Sequence, residues 1–124
     1  MSRYSLFLGL LVCAMFAPGC GPDIRAMCED QENCLGGNDA DIDACVVSYD
    51  GTRDNAYDIG CGEEYDLLIE CLMPKLDCTT GGACANNGDC NGSACINGEC
   101  KRYEVDNGNG NVCEVEVNAY SRCD

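Results

Sequence analysis

The sequence predicts an all-α fold, a small disulfide-stapled bundle of about four short helices carrying an irregular cysteine-rich insertion. Three observations lead there. Fourteen of the 124 residues are cysteine, a density typical of domains whose apolar core is too small to hold alone. Apolar residues recur at helical spacing in four segments, most clearly in CGEEYDLLIECLMPKLDC, Cys61 to Cys78. Between the third and fourth of these, residues 79–111 are rich in glycine and asparagine and nearly free of aliphatics, so no helix is expected there.

Composition narrows function. Seven Lys plus Arg against 22 Asp plus Glu give a net charge of −15, which argues against nucleic acid as a partner and against docking on an anionic lipid surface. Histidine is absent, which removes Ser-His and Cys-His nucleophilic sites, His-ligated zinc and the usual general base. Among so many carboxylates the sequence marks out no pair for glycosidase-type chemistry, and a chain this short, without Trp, is not expected to enclose such a pocket. The expectation is a non-enzyme, with no catalytic residues and no cofactor.

Residues 1–19 read as a signal peptide: Arg3, then the apolar run Leu6 to Ala17 broken by Gly9, then small residues before Cys20. The run is shorter than the ~20 residues that span a bilayer. The remaining chain, 20–124, is expected to form one domain with residues 79–111 inserted in it.

In PDIRAMCEDQENCL, Ile24, Met27, Cys28 and Gln31 lie at helical spacing, and Gly36-Gly37-Asn38 ends that helix. Asp39, Asp41 and Asp43 offer N-caps for a second helix reaching Ile59, with the stripe Cys45, Tyr49, Thr52, Ala56, Ile59 and a weak point at Asp50-Gly51. In the third helix Tyr65, Leu68, Ile69, Leu72 and Leu76 form one stripe, acidic residues fill the first turn, and Pro74 ends or kinks it near Met73. The last segment alternates as a strand through Val112–Val117, yet Asn111 with Glu114 suggests a capping box, and Cys113, Val117, Tyr120 and Cys123 fit a helix face. A helix is expected, because no other segment offers a strand partner.

An up-down order of four helices makes a disulfide map arguable. Cys34 and Cys45 are expected to meet at one end, and Cys61 to lie beside Cys123 at the other. The equal spacings Cys61-x9-Cys71 and Cys113-x9-Cys123 would pair Cys61 with Cys123 and Cys71 with Cys113 on antiparallel helices. This spacing resembles the twin C-x9-C hairpin of the coiled-coil-helix-coiled-coil-helix family, as shared geometry only. Cys28 with Cys78 completes the set; Cys28 with Cys71 and Cys78 with Cys113 is the alternative register. In the insertion, CANNGDCNGSACINGEC resembles the short cysteine modules related to EGF-like and Dickkopf-like knots, with crossed pairs Cys84–Cys95 and Cys90–Cys100 and a turn at Asn97-Gly98. It reads either as a recognition knob or as a tolerated disulfide-braced insertion. The nearest cysteine spacings, x4 and x5, are not the C-x2-C of zinc sites, so disulfides rather than metal are expected.

Ala17-Pro18-Gly19-Cys20 resembles a bacterial lipobox, which implies a diacylated Cys20 as the new N-terminus. Parity agrees: losing Cys13 with the signal and lipidating Cys20 leaves twelve cysteines, which can all pair. The alternative is plain secretion with Cys20 unpaired or bridged to another chain. Gly21 follows where aspartate would signal inner-membrane retention, so an outer-membrane or cell-surface address is expected. The short acidic helices and regularly placed cysteines resemble uncharacterised cysteine-rich lipoproteins of myxobacteria and related bacteria, which implies a lipid-anchored envelope module with a protein partner and no catalytic residues. Two alternatives stand beside it, a soluble secreted disulfide knot of inhibitor or toxin type, and a weak calcium binder. The latter rests on Asp39-x-Asp41-x-Asp43 with Asp50 twelfth, although Ala44 stands where a calcium loop needs glycine. The run 106–111 offers further oxygens but reads as linker.

Overall fold

The computed structural model describes residues 21–106 and 112–123. The expected signal peptide and Cys20 lie outside them, as does the expected cap residue Asn111.

Among the described residues four helices form, close to the expected positions: α1 (Ile24–Leu35), α2 (Asp39–Asp58), α3 (Gly62–Leu72) and α4 (Glu114–Ser121). Asp23 caps α1 by accepting from the Ala26 amide, and Gly36 closes it in the left-handed region at φ 76°. The cap of α2 is Asn38, one residue before the aspartates, in a capping box with Asp41. Asp50-Gly51 does not break α2, which runs unbroken for 20 residues. Pro74 stops α3 as expected: the regular helix ends at Leu72 and one 3-10 turn, Met73–Lys75, follows.

The fold is not all-α. Residues 76–105 form a three-stranded antiparallel sheet, β1 (Leu76–Ala83), β2 (Ala94–Ile96) and β3 (Glu99–Val105), in the order β1-β3-β2. The expected insertion is thus an integral layer that starts earlier than 79. Asn97 and Gly98, both at positive φ, make the two-residue turn joining β2 to β3. The pairing of β1 with β3 brings Leu76 opposite Val105 and Cys78 opposite Tyr103. These partners are more than twenty residues apart, so no local periodicity announces them. Ladder hydrogen bonds fix backbone that glycine and asparagine alone leave free.

The core is small. Ile24, Met27 and Cys28 of α1, Ala56 of α2, and Tyr65 and Ile69 of α3 are its buried members, with Leu76 and Tyr103 of the sheet and Tyr120 of α4 laid against them. Tyr65 meets Tyr120 edge to face at 5.7 Å between centroids.

Six disulfides staple these elements. Cys61–Cys123 and Cys71–Cys113 tie α3 to α4 at both ends, and Cys84–Cys95 and Cys90–Cys100 cross within the sheet region, as anticipated. The other two differ from expectation: Cys28 joins Cys45 and Cys34 joins Cys78, in place of Cys34 with Cys45 and Cys28 with Cys78. The reason is the level at which each residue sits. Cys28 lies about two turns back from the end of α1 and Cys45 about two turns into the antiparallel α2, so these face each other. Cys34, at the α1 end, is left facing β1.

In the chain-entropy account, bridges closing 62 and 42 residues contribute about 4 kcal/mol each, against about 3 for those closing 10 and 11. Replacing Cys71 and Cys113 together by Ala is therefore expected to lower the melting temperature more than replacing Cys84 and Cys95, followed by far-ultraviolet circular dichroism. Equal losses would contradict the greater weight assigned to the bridge between α3 and α4.

Candidate functional site

A cluster of three polar side chains joins α2 to α3. The two helices fold back on each other through Gly60, which takes φ 84°. That turn sets Arg53 opposite Asp66. The Arg53 guanidinium donates from Nε to Asp66 Oδ1 and from Nη2 to Oδ2, both at 2.7 Å, and the Tyr57 hydroxyl donates to the same Oδ2 at 2.7 Å. The guanidinium carbon lies 5.5 Å from the Tyr57 ring centroid. Asp66 is only 13% exposed and Arg53 32%.

These contacts set the charge states. Hydrogen bonds from Arg53, and secondarily from Tyr57, hold the Asp66 carboxyl below the usual aspartate value, with burial opposing. Its bond to Asp66 raises the Arg53 pKa further, and donation to Asp66 raises that of Tyr57. The carboxylate is saturated with donors, and neither it nor the phenol changes protonation near neutrality. The arrangement is a clamp, not an acid–base pair.

Two glycines show what the clamp holds. A Cβ on Gly62 would run into the Tyr57 ring, and one on Gly21 would run into the Arg53 guanidinium. The chain just after Cys20 is thus laid directly on Arg53. Beside it lies a shallow depression of about 420 Å³ lined by Gly21, Pro22, Asp23, Glu70, Met73 and Pro74.

A second candidate lies on the sheet, a groove of about 350 Å³ between Thr79–Ala83 and the Asp89–Ser93 loop, with Cys100 also in its lining and Arg102 and Glu104 contributing the charges at one end. Its polar groups are largely engaged with one another. Arg102 donates to Ser93 Oγ at 3.0 Å, to the Asn91 carbonyl at 3.3 Å and to Glu104 at 3.3 Å, while Asp89 accepts from the Ala85 and Asn86 amides.

The residues proposed from sequence separate accordingly. All twelve cysteines from Cys28 to Cys123 are paired. The sulfurs of Cys84, Cys90 and Cys100 come within 4.8 Å of one another, as do Cys71, Cys113 and a Glu116 oxygen, but every one of these sulfurs is in a disulfide. The calcium reading fails on backbone: Asp39, Asp41, Asp43 and Asp50 all lie in α2, Asp41 is spent on the cap and Asp43 on Arg25 at 2.7 Å. A helix cannot wrap its own side chains around one ion as a loop does. Sequence reasoning missed Arg53. Its signal was a basic residue, one of seven, placed four after Tyr49 and three before Ala56 on the inward face of α2.

Comparison with protein-family models, curated proteins and solved structures gives no match. Among the described residues, no helix is long and apolar enough to cross a membrane.

Because the folded pKa of Asp66 is depressed, its stabilisation is present above the ordinary aspartate value near ~3.9 and fades as pH falls through the folded value. Asp66→Asn is expected to cost about 1–2 kcal/mol at pH 7, after discounting for partial exposure. The difference from the parent should shrink toward pH 2. Urea unfolding at both pH values measures it; an unchanged gap at pH 2 would assign the effect to shape rather than charge.

Proposed function

We propose that this protein is a lipid-anchored, non-catalytic module of the bacterial cell envelope, at the outer membrane or cell surface, serving as a structural or protein-interaction element. Its six disulfides fit an oxidising, extracytoplasmic compartment. One observation carries this reading. The twelve cysteines from Cys28 onward form a closed set, so none of them is available to Cys20, and the cysteine at the lipobox-like end is left for modification. Gly21, which follows Cys20, lies against the Arg53 guanidinium, so a lipid on Cys20 would sit close to the folded domain. The resemblance to cysteine-rich lipoproteins of myxobacterial type points the same way.

Intact-mass measurement of the purified mature protein, before and after reduction, tests the reading. The expected species begins at Cys20, carries a diacylglyceryl mass, and gains twelve hydrogens when its six disulfides are reduced. A Cys20→Ala variant should move from the membrane pellet to the soluble fraction. Unmodified protein with a free Cys20 thiol in the culture fluid would replace this reading with the soluble secreted knot.

A further inference from the structure

The clamp has a mechanical corollary that rests on acylation of Cys20. Consecutive Cα atoms are about 3.8 Å apart, so a lipid on Cys20 sits one peptide unit from Gly21, which is itself half-buried against Arg53. No flexible spacer separates the anchor from the folded domain. The surface nearest the anchor is then fixed, and it is the depression lined by Pro22, Met73 and Pro74, with Pro74 exposed and Met73 half-buried. Its charged members, Asp23 and Glu70, are both acidic. The adjoining cation, Lys75, donates to the Cys71 carbonyl at 3.3 Å. Such a rim repels an anionic leaflet and tolerates a zwitterionic one.

We propose that this depression is a lipid-contact face, which rests Met73 and Pro74 in the interface of a zwitterionic leaflet and holds the domain in a single orientation on its anchor. The opposite pole follows from the fold. Gly36, at the far end of α1 from Ile24, has the Ile96 side chain as its neighbour, and Ile96 pairs with Glu99 across the Asn97-Gly98 turn. Twelve helical residues, about 18 Å, separate the two ends of α1. The sheet hairpin therefore lies at the end away from the lipid.

The chain contains no tryptophan, so a single introduced indole reports its own surroundings. Met73→Trp, Pro74→Trp and Glu99→Trp are each prepared as acylated protein and reconstituted in phosphatidylcholine vesicles with and without brominated chains. The expected result is a blue shift and loss of most emission for Met73→Trp and Pro74→Trp. Glu99→Trp should show neither, and the quenching should weaken when phosphatidylglycerol is mixed in. Pro74 is exposed, so its variant reports even if Met73→Trp misfolds. Acylated protein in which the position 73 and 74 reporters are quenched no more than that at 99 would overturn the oriented face while leaving the anchor intact. Absence of the acyl mass would overturn the anchor, and this inference with it.

Discussion

The shortage of apolar interior governs this molecule. Six buried residues at the centre, two of them no larger than alanine or cysteine, cannot offset the conformational entropy of nearly a hundred ordered residues, at roughly 1–2 kcal/mol each for backbone alone. Covalent links supply the difference by restricting the unfolded chain. Their distribution has a logic. Four of the six join separate elements, and α3 holds two of those, one at each end of its contact with α4. With Tyr65 and Ile69 in the core and Asp66 in the clamp, α3 is the element that links α4 to α2, while the sheet is held to α1 by Cys34–Cys78.

The helices were legible because their signals are local. Gly36 ends α1, Pro74 stops α3, and Tyr65 and Ile69 form an inward stripe, as read from the sequence, whereas the observed caps Asp23 and Asn38 were not among the expected ones. The same held for Cys61–Cys123 and Cys71–Cys113, which equal spacing on two antiparallel helices suggests, although the register pairing Cys28 with Cys71 and Cys78 with Cys113 stood open until the structure decided between them. The sheet was not legible. Strand β1, LDCTTGGA, has little alternation and many small residues, and the ladder that stabilises it comes from β3 after two intervening turns. Missing the sheet also explains the exchanged partners of Cys34 and Cys28. Without a strand at Cys78 lying against the end of α1, nothing in the sequence distinguishes the two halves of that exchange.

The clamp was hidden for a different reason. Arg53, Tyr57 and Asp66 match no motif, and two of the three sit on a helix whose exposed face is crowded with aspartates. What singles out Asp66 is geometry, a bidentate fork and a phenol converging on one carboxylate. It is also a rare investment of positive charge in a chain of net −15. Placing one of seven cations there spends it on holding the beginning of the domain against its middle.

The distribution of the bridges along the chain also sets a timetable. A polypeptide emerges amino end first, so Cys28 and Cys45 are both available early, and the sheet cysteines can pair once Cys100 has followed. Cys113 must appear before α3 can be fastened at one end and Cys123 before it can be fastened at the other. The central helix is therefore the last to be locked. Covalent assembly thus finishes at the middle rather than at either end.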